Sequence, residues 1–257
     1  MAKASVETVT SEEPAAPGRP GALYLVGRAI IAPLARLLYR PRVVGRSNVP
    51  RRGAVILASN HLSFIDSVVI PLLAPRRVQF LAKSHYFTGR GLRGLINRWF
   101  FTAIGAVPVE RGAGQAAQLA LEQGKRLLDA GAAFALYPEG TRSLDGRLYK
   151  GRTGVAWLAL TTGAPVVPVG LIGTDRLQPK GATMPRLRRV TVAFGEPLDL
   201  SHHGPASSGR ARRQATDEIM AAIQALTGQE EAGVYNEPPP SGPVERFKRS
   251  VLHSERV

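Results

Sequence analysis

Apolar residues fill positions 54–58 without a break, stop at Ser59, Asn60 and His61, and resume from 64 to 73 at the intervals of a helix face. A continuous apolar run of that length predicts a buried strand, and the change of period predicts a strand-to-helix turn with His61 at its mouth. Shorter apolar runs at 78–82, 106–109, 132–137, 166–172 and 190–194 read as further strands. Residues 115–129 and 152–162 have helical character, and 209–226 closes the pattern as a helix with Ile219, Ala222, Ile223 and Leu226 as its apolar stripe. The alternation predicts an α/β domain with a largely buried sheet.

A different pattern precedes it. Across 21–40, Leu23, Val26, Ile30, Leu34, Leu37 and Leu38 fall on one side of a helical wheel, with Arg28, Arg36 and Arg40 on the other and Pro33 predicting a kink. An arginine near the centre of a membrane span costs about 2.5–3.5 kcal/mol on insertion scales, which argues against crossing and for a helix lying in the lipid interface. A helix packed on the core with a solvated arginine face is the other reading. Leu92, Leu95, Ile96, Trp99 and Phe100, flanked by Arg90, Arg93 and Arg98, repeat the pattern, and two such helices favour a lipid-facing surface.

Charge strengthens that picture. The 257 residues hold 34 Lys and Arg against 19 Asp and Glu, a formal net charge of +15 that implies an anionic partner: a membrane surface, a phosphorylated substrate or a nucleic acid. Each basic side chain near an anionic leaflet contributes about 1 kcal/mol. No nucleic-acid-binding module is recognisable, and the aromatic residues cluster beside arginines on an apolar helix instead of forming a stacking platform, so no nucleic acid is expected. Zero cysteines exclude disulfides, thiolate nucleophiles and cysteine-held metals. The boundaries follow: 1–20 and 228–257 as disordered tails, 21–42 as the amphipathic helix and 43–227 as the folded domain.

The chemistry concentrates in three stretches. Open α/β sheets place ligands outside the carboxyl ends of their strands, which is the address of His61. Asp66 can fold back to the His61 ring, fix its tautomer and leave the other ring nitrogen as a general base. Ser63 and Asp66 also fit a helix-capping box, in which His61 is an ordinary loop residue, and Ser63 reads as a cap. The second stretch, Tyr137-Pro138-Glu139-Gly140-Thr141-Arg142-Ser143, follows a strand and offers a glycine turn, two hydroxyls and a guanidinium suited to phosphate; it also has the composition of a plain turn. The third ends a strand with Glu110-Arg111, either an anion contact or a solvated charged pair. Lys150 is a further candidate phosphate contact. His85, His202, His203 and His253 lie in expected loops, linker and tail and are read as non-catalytic, and too few ligands cluster along the chain to imply a metal.

Taken in this order, the motifs Asn60-His61-Leu62-Ser63-Phe64-Ile65-Asp66 and Pro138-Glu139-Gly140-Thr141-Arg142-Ser143, with Glu110-Arg111 between them and the 165–170 strand after them, resemble the glycerolipid acyltransferase family, notably its 1-acylglycerol-3-phosphate acyltransferases. The resemblance covers about 43–198. Tyr137 stands where the family usually has Phe, and Glu110 where Asp is frequent. The resemblance implies a mixed sheet with helices on both faces, preceded by a membrane-docking helical segment. It also implies acyl transfer from acyl-CoA or acyl carrier protein to a hydroxyl of a phosphate-bearing glycerol lipid. His61 would be the base, Asp66 its orienting partner, and Arg111, Glu139, Gly140, Thr141 and Arg142 the acceptor site, with no cofactor beyond the co-substrate. The acceptor is expected to be lysophosphatidic acid, with glycerol-3-phosphate or another lysolipid as the alternative within this chemistry. A peripheral location on the cytoplasmic face of the cell membrane is expected. A non-enzymatic basic protein bound to anionic lipid or nucleic acid is the alternative of another class.

Overall fold

The computed structural model describes residues 22–83, 87–89, 91–109 and 116–237. Among them, seven strands form one sheet: β1 (Arg42–Val44), β2 (Val55–Ser59), β3 (Val78–Lys83), β4 (Ala106–Val109), β5 (Ala133–Leu136), β6 (Val166–Ile172) and β7 (Thr191–Phe194). Their spatial order is β1-β7-β6-β2-β5-β3-β4. The five strands from β6 to β4 run parallel, whereas β7 meets β6 antiparallel and pairs in parallel with β1. The sheet is therefore mixed, as expected.

Both faces of its centre are buried, and the alternation of side chains explains the unbroken apolar runs. Val55 and Leu57 of β2 join one core with Val167, Val169 and Leu171 of β6. Ile56 and Ala58 point to the other, with Phe134 and Val166. Helices α2 (Asp66–Leu73) and α3 (Gly91–Ala103) contribute Val69, Ile70 and Phe101 to the first core. Helices α4 (Ala116–Asp129), α5 (Gly154–Thr162) and α7 (Gly209–Thr227) contribute Leu128, Leu158 and Ile219 to the second. α7 lies so close to β6 that a Cβ on Gly170 would stand 2.8 Å from the Leu226 Cβ.

The amphipathic helix forms as α1 (Ala22–Tyr39), continuing through Pro33, and packs against α3. No helix among the described residues is long and apolar enough to cross a membrane.

Three elements depart from the sequence reading. β1 was not foreseen, because a three-residue edge strand is too short to show a period. A four-residue helix, α6 (Thr174–Leu177), follows β6. Residues 228–237, expected to begin a disordered tail, instead run beside the 146–150 segment. The Leu148 amide donates to Glu230 O at 2.8 Å, the Ala232 amide to Leu148 O at 2.8 Å and the Lys150 amide to Val234 O at 2.9 Å. The Pro238-Pro239-Pro240 run and the scattered charges beyond Gly228 suggest disorder, but these bonds are made by backbone groups and leave no mark in the residue pattern.

Candidate active site

The parallel register sets β2, β5 and β6 side by side, with Ala58 opposite Leu136 and Ser59 opposite Val169. Their carboxyl ends therefore open on one edge of the sheet, and the His61 and Glu139 loops leave from neighbouring strands there. Asn60 fastens the first loop to β6. Its Oδ1 accepts from the Leu171 amide at 2.8 Å, and its Nδ2 donates to Leu171 O at 2.9 Å and to Gln229 Oε1 at 2.8 Å.

His61 comes next, and its Nδ1 lies 2.9 Å from Asp66 Oδ2. A carboxylate can only accept, so Nδ1 carries a proton, and in the neutral ring the lone pair is on Nε2. The same Asp66 oxygen accepts from the Leu62 and Ser63 amides at 2.8 Å each. Asp66 is fully buried at the first turn of α2. The capping and histidine-orienting readings are thus both realised by one oxygen. Ser63 is not the cap that the sequence suggested: its hydroxyl donates to Gln178 O at 2.6 Å, and the residue at the N-cap, Ile65, offers no side-chain bond.

Tyr137, at the end of β5, stacks flat on the His61 imidazole, with ring centroids 3.8 Å apart and planes 9° from parallel. Its hydroxyl pairs with Ser67 Oγ at 3.0 Å. Burial, then the Asp66 charge, push the phenol well above its ordinary value against the Ser67 hydrogen bond, so the ring stays neutral. Imidazole is therefore held at its edge by Asp66 and on its face by Tyr137.

Glu139, fully buried, accepts the His61 amide on Oε1 and the Tyr149 amide on Oε2, each at 3.0 Å. Burial raises its carboxyl to about 7, outweighing the lowering by the Tyr149 and His61 amides; Asp66 and Asp145 add to the rise. Expected at the acceptor, Glu139 instead fixes the backbone that carries His61. The Ser143 amide donates to His61 O at 2.7 Å, so the two motifs are joined at a second point.

Gly140 adopts φ 78°, a left-handed conformation that glycine alone takes without strain, and a Cβ there would stand 3.0 Å from Arg152 Nε. Its close neighbour is thus a side chain of this chain. Asn236 Nδ2 donates to Arg142 O at 3.1 Å, tying the turn to the C-terminal segment. Thr141 is half-buried beside it, and the Arg142 side chain is exposed. Asp145 is held down at about 2: burial opposes the shift, but hydrogen bonds from Arg147, Tyr149 and Ser143 outweigh it. The Lys150 ammonium lies 5.5 Å from the Tyr235 ring centroid. Arg111 and Glu110, two residues and one residue beyond the end of β4, lie outside the described residues, as do His85 and His253.

The structure thus brings together His61, Asp66, Glu139 and the 140–143 turn. Sequence reasoning missed Tyr137, Asn60 and Asn236 as partners of this cluster. A tyrosine directly before Pro138 was visible; its place over His61 depends on the β2–β5 register.

A neutral imidazole oriented by a buried carboxylate at the carboxyl edge of a parallel sheet can accept a proton from an alcohol, which defines a class. The acyltransferase family model matches residues 40–172, just over half the chain, and the chain belongs to that family. Two chloroplastic 1-acyl-sn-glycerol-3-phosphate acyltransferases, of Brassica napus and Arabidopsis thaliana, are each 32% identical over 145 residues. Those matches cover 56% of this chain and 40% and 39% of the two relatives, so the chain spans about two fifths of their length. The crystal structure of the 1-acyl-sn-glycerophosphate acyltransferase PlsC of Thermotoga maritima shares the fold, with a TM-score of 0.59 and 27% identity over 79% of each chain.

Proposed function

We propose that the protein transfers an acyl chain from acyl-CoA or acyl carrier protein to the free hydroxyl of 1-acylglycerol-3-phosphate, giving phosphatidic acid, at an anionic membrane surface. The observation that carries this reading is the His61–Asp66 pair, which leaves Nε2 to take a proton. The acceptor oxygen attacks the thioester carbonyl as Nε2 removes the hydroxyl proton. The C–S bond then breaks, and the departing thiolate takes that proton from the imidazolium. Positioned base catalysis of this kind contributes about 10²–10⁴-fold. The names of the plant and Thermotoga relatives support the acceptor.

Arg142 on its turn and Arg111 after β4 are assigned to the acceptor phosphate, where each charge-assisted contact contributes about 1.5–3 kcal/mol. Gly140 and Thr141 shape that turn, and Glu139 acts as a positioning residue behind it. No metal or cofactor enters this scheme.

The membrane surface is assigned to α1 and α3. Ile30, Leu34, Leu37 and Leu38 form an exposed stripe on α1, and Leu92, Leu95, Ile96 and Trp99 form another on α3. Leu37 and Leu92 are 71% and 73% exposed, and apolar side chains grouped on one helix face, unlike scattered single ones, mark an interaction surface. Phe64, in the His61 loop, packs edge-on against Phe101 of α3, linking this surface to the site. We assign it to the cytoplasmic face of the cell membrane.

The test is a panel of acceptors offered with acyl-CoA to the purified protein on anionic vesicles, read as thiol release. Lysophosphatidic acid is expected to give the highest kcat/KM, ahead of glycerol-3-phosphate and lysophosphatidylcholine. Equal turnover of a lysolipid whose phosphate carries a headgroup would remove the phosphate-clamp assignment. No thiol release with any acceptor and either donor would overturn the activity.

A further inference from the structure

His202 and His203 read as linker residues in the sequence, but the fold gives them a third partner. They form the short 3₁₀ turn Ser201–His203 between β7 and α7, and Glu218 reaches them from α7, fifteen residues after His203. His203 Nε2 lies 2.6 Å and His202 Nε2 3.3 Å from the same Glu218 oxygen. The two rings lie against one another, with centroids 4.1 Å apart. All three ligand-type atoms fall within 4.8 Å of one another.

The outer contact of His202 is the informative one. Its Nδ1 lies 3.0 Å from Asp199 O, and a carbonyl can only accept, so Nδ1 is the protonated nitrogen. Nε2 then points at the Glu218 carboxylate oxygen, 3.3 Å away, where a cation shared by the two atoms would be held. Metal-bound histidines characteristically donate their second nitrogen to a backbone carbonyl or carboxylate, which fixes the tautomer for ligation. Two ligands held at about 2.0–2.1 Å around tetrahedral zinc are about 3.3 Å apart, which is the His202–Glu218 spacing; His203 Nε2, 2.6 Å from the same oxygen, stands at hydrogen-bond distance and would move off it to ligate.

We propose that His202, His203 and Glu218 form a binding site for a zinc-class divalent cation, with water completing the shell. Two imidazoles and a carboxylate select a borderline transition metal over calcium or magnesium, which take oxygen ligands. The role is structural. The bridge from Leu198 to Val166 puts this turn near the start of β6, whereas His61 follows the end of the parallel neighbour β2. The ion would clasp the 199–203 segment to α7 without entering the acyl-transfer site, and the inference stands independently of the proposed activity.

The test is isothermal titration of Zn²⁺ into metal-stripped full-length protein without a polyhistidine tag, beside Tm with and without the ion. Wild type is expected to bind one equivalent at this site and to gain about 5 °C in Tm at saturation. His202→Ala and Glu218→Gln should each weaken binding at least tenfold and abolish the Tm gain, with circular dichroism unchanged. No binding by wild type would mean that a proton bridges the cluster, and undiminished binding in both variants would put the ion elsewhere. Either result overturns the proposal.

Discussion

One carboxylate oxygen of Asp66 accepts three hydrogen bonds, from His61 Nδ1 and from the amides of Leu62 and Ser63, and this sets both the shape of the loop and the state of the imidazole. Asp66→Asn keeps an acceptor for the amides but removes the charge that supports the imidazolium. We expect kcat to fall about 10²-fold or more with KM little changed, measured by thiol release. Glu139 makes a separate prediction. Its carboxyl rises from an ordinary 4.5 to about 7 in the folded protein, so the native state holds this proton more tightly than the unfolded chain does. Its contribution to stability is full below about pH 4.5 and is lost as pH rises to about 7. Urea unfolding of wild type should show that decline, and Glu139→Gln should flatten it; an unchanged slope in the variant would assign the proton to another group.

The residues that were legible are those whose neighbours in sequence are also their partners. Asp66 is five positions from His61, and the spacing alone suggested their contact. Glu139 is 78 positions from the amide it holds, and its target was unreadable without the pairing of β2 and β5. Its motif was visible, but its direction, inward to the backbone instead of outward to a ligand, was not. The same holds for Tyr137 over His61 and for Glu218 beneath the two histidines.

At the scale of elements, the candidate site exists because loops from three parallel strands are fastened to one another. Asn60 makes the bond between the His61 loop and β6, bridging both the amide and the carbonyl of Leu171. Asn60→Ala would orphan two buried backbone groups, at about 1–3 kcal/mol each. A loss of about 2–6 kcal/mol is expected in equilibrium unfolding, and a loss below about 0.5 kcal/mol would show that water replaces the side chain. The central strands were legible because burial on both faces gives unbroken apolar runs, and α1, α3, α4 and α7 because they show amphipathic spacing. The 228–237 segment was not, since its bonds to Leu148 and Lys150 come from the backbone and leave no mark in the residue pattern.

Across the whole molecule, the proposed docking to an anionic surface rests on a net charge of +15 and two exposed apolar helix faces. Charge and burial act at different ranges: screening weakens the first over about 8 Å at physiological salt, while the second persists. Flotation with anionic liposomes should therefore weaken but survive at high salt. Leu34→Ser combined with Leu37→Ser should reduce it at every salt concentration, and binding unchanged by both substitutions would mean that α1 does not meet lipid. At that surface the proposed reaction depends on one imidazole. The most direct measurement is acyl-CoA turnover with lysophosphatidic acid by His61→Ala, with Tm followed in parallel. A fall of about 10²–10⁴-fold at unchanged Tm is predicted; turnover within twofold of wild type would contradict the assignment of His61 as the base.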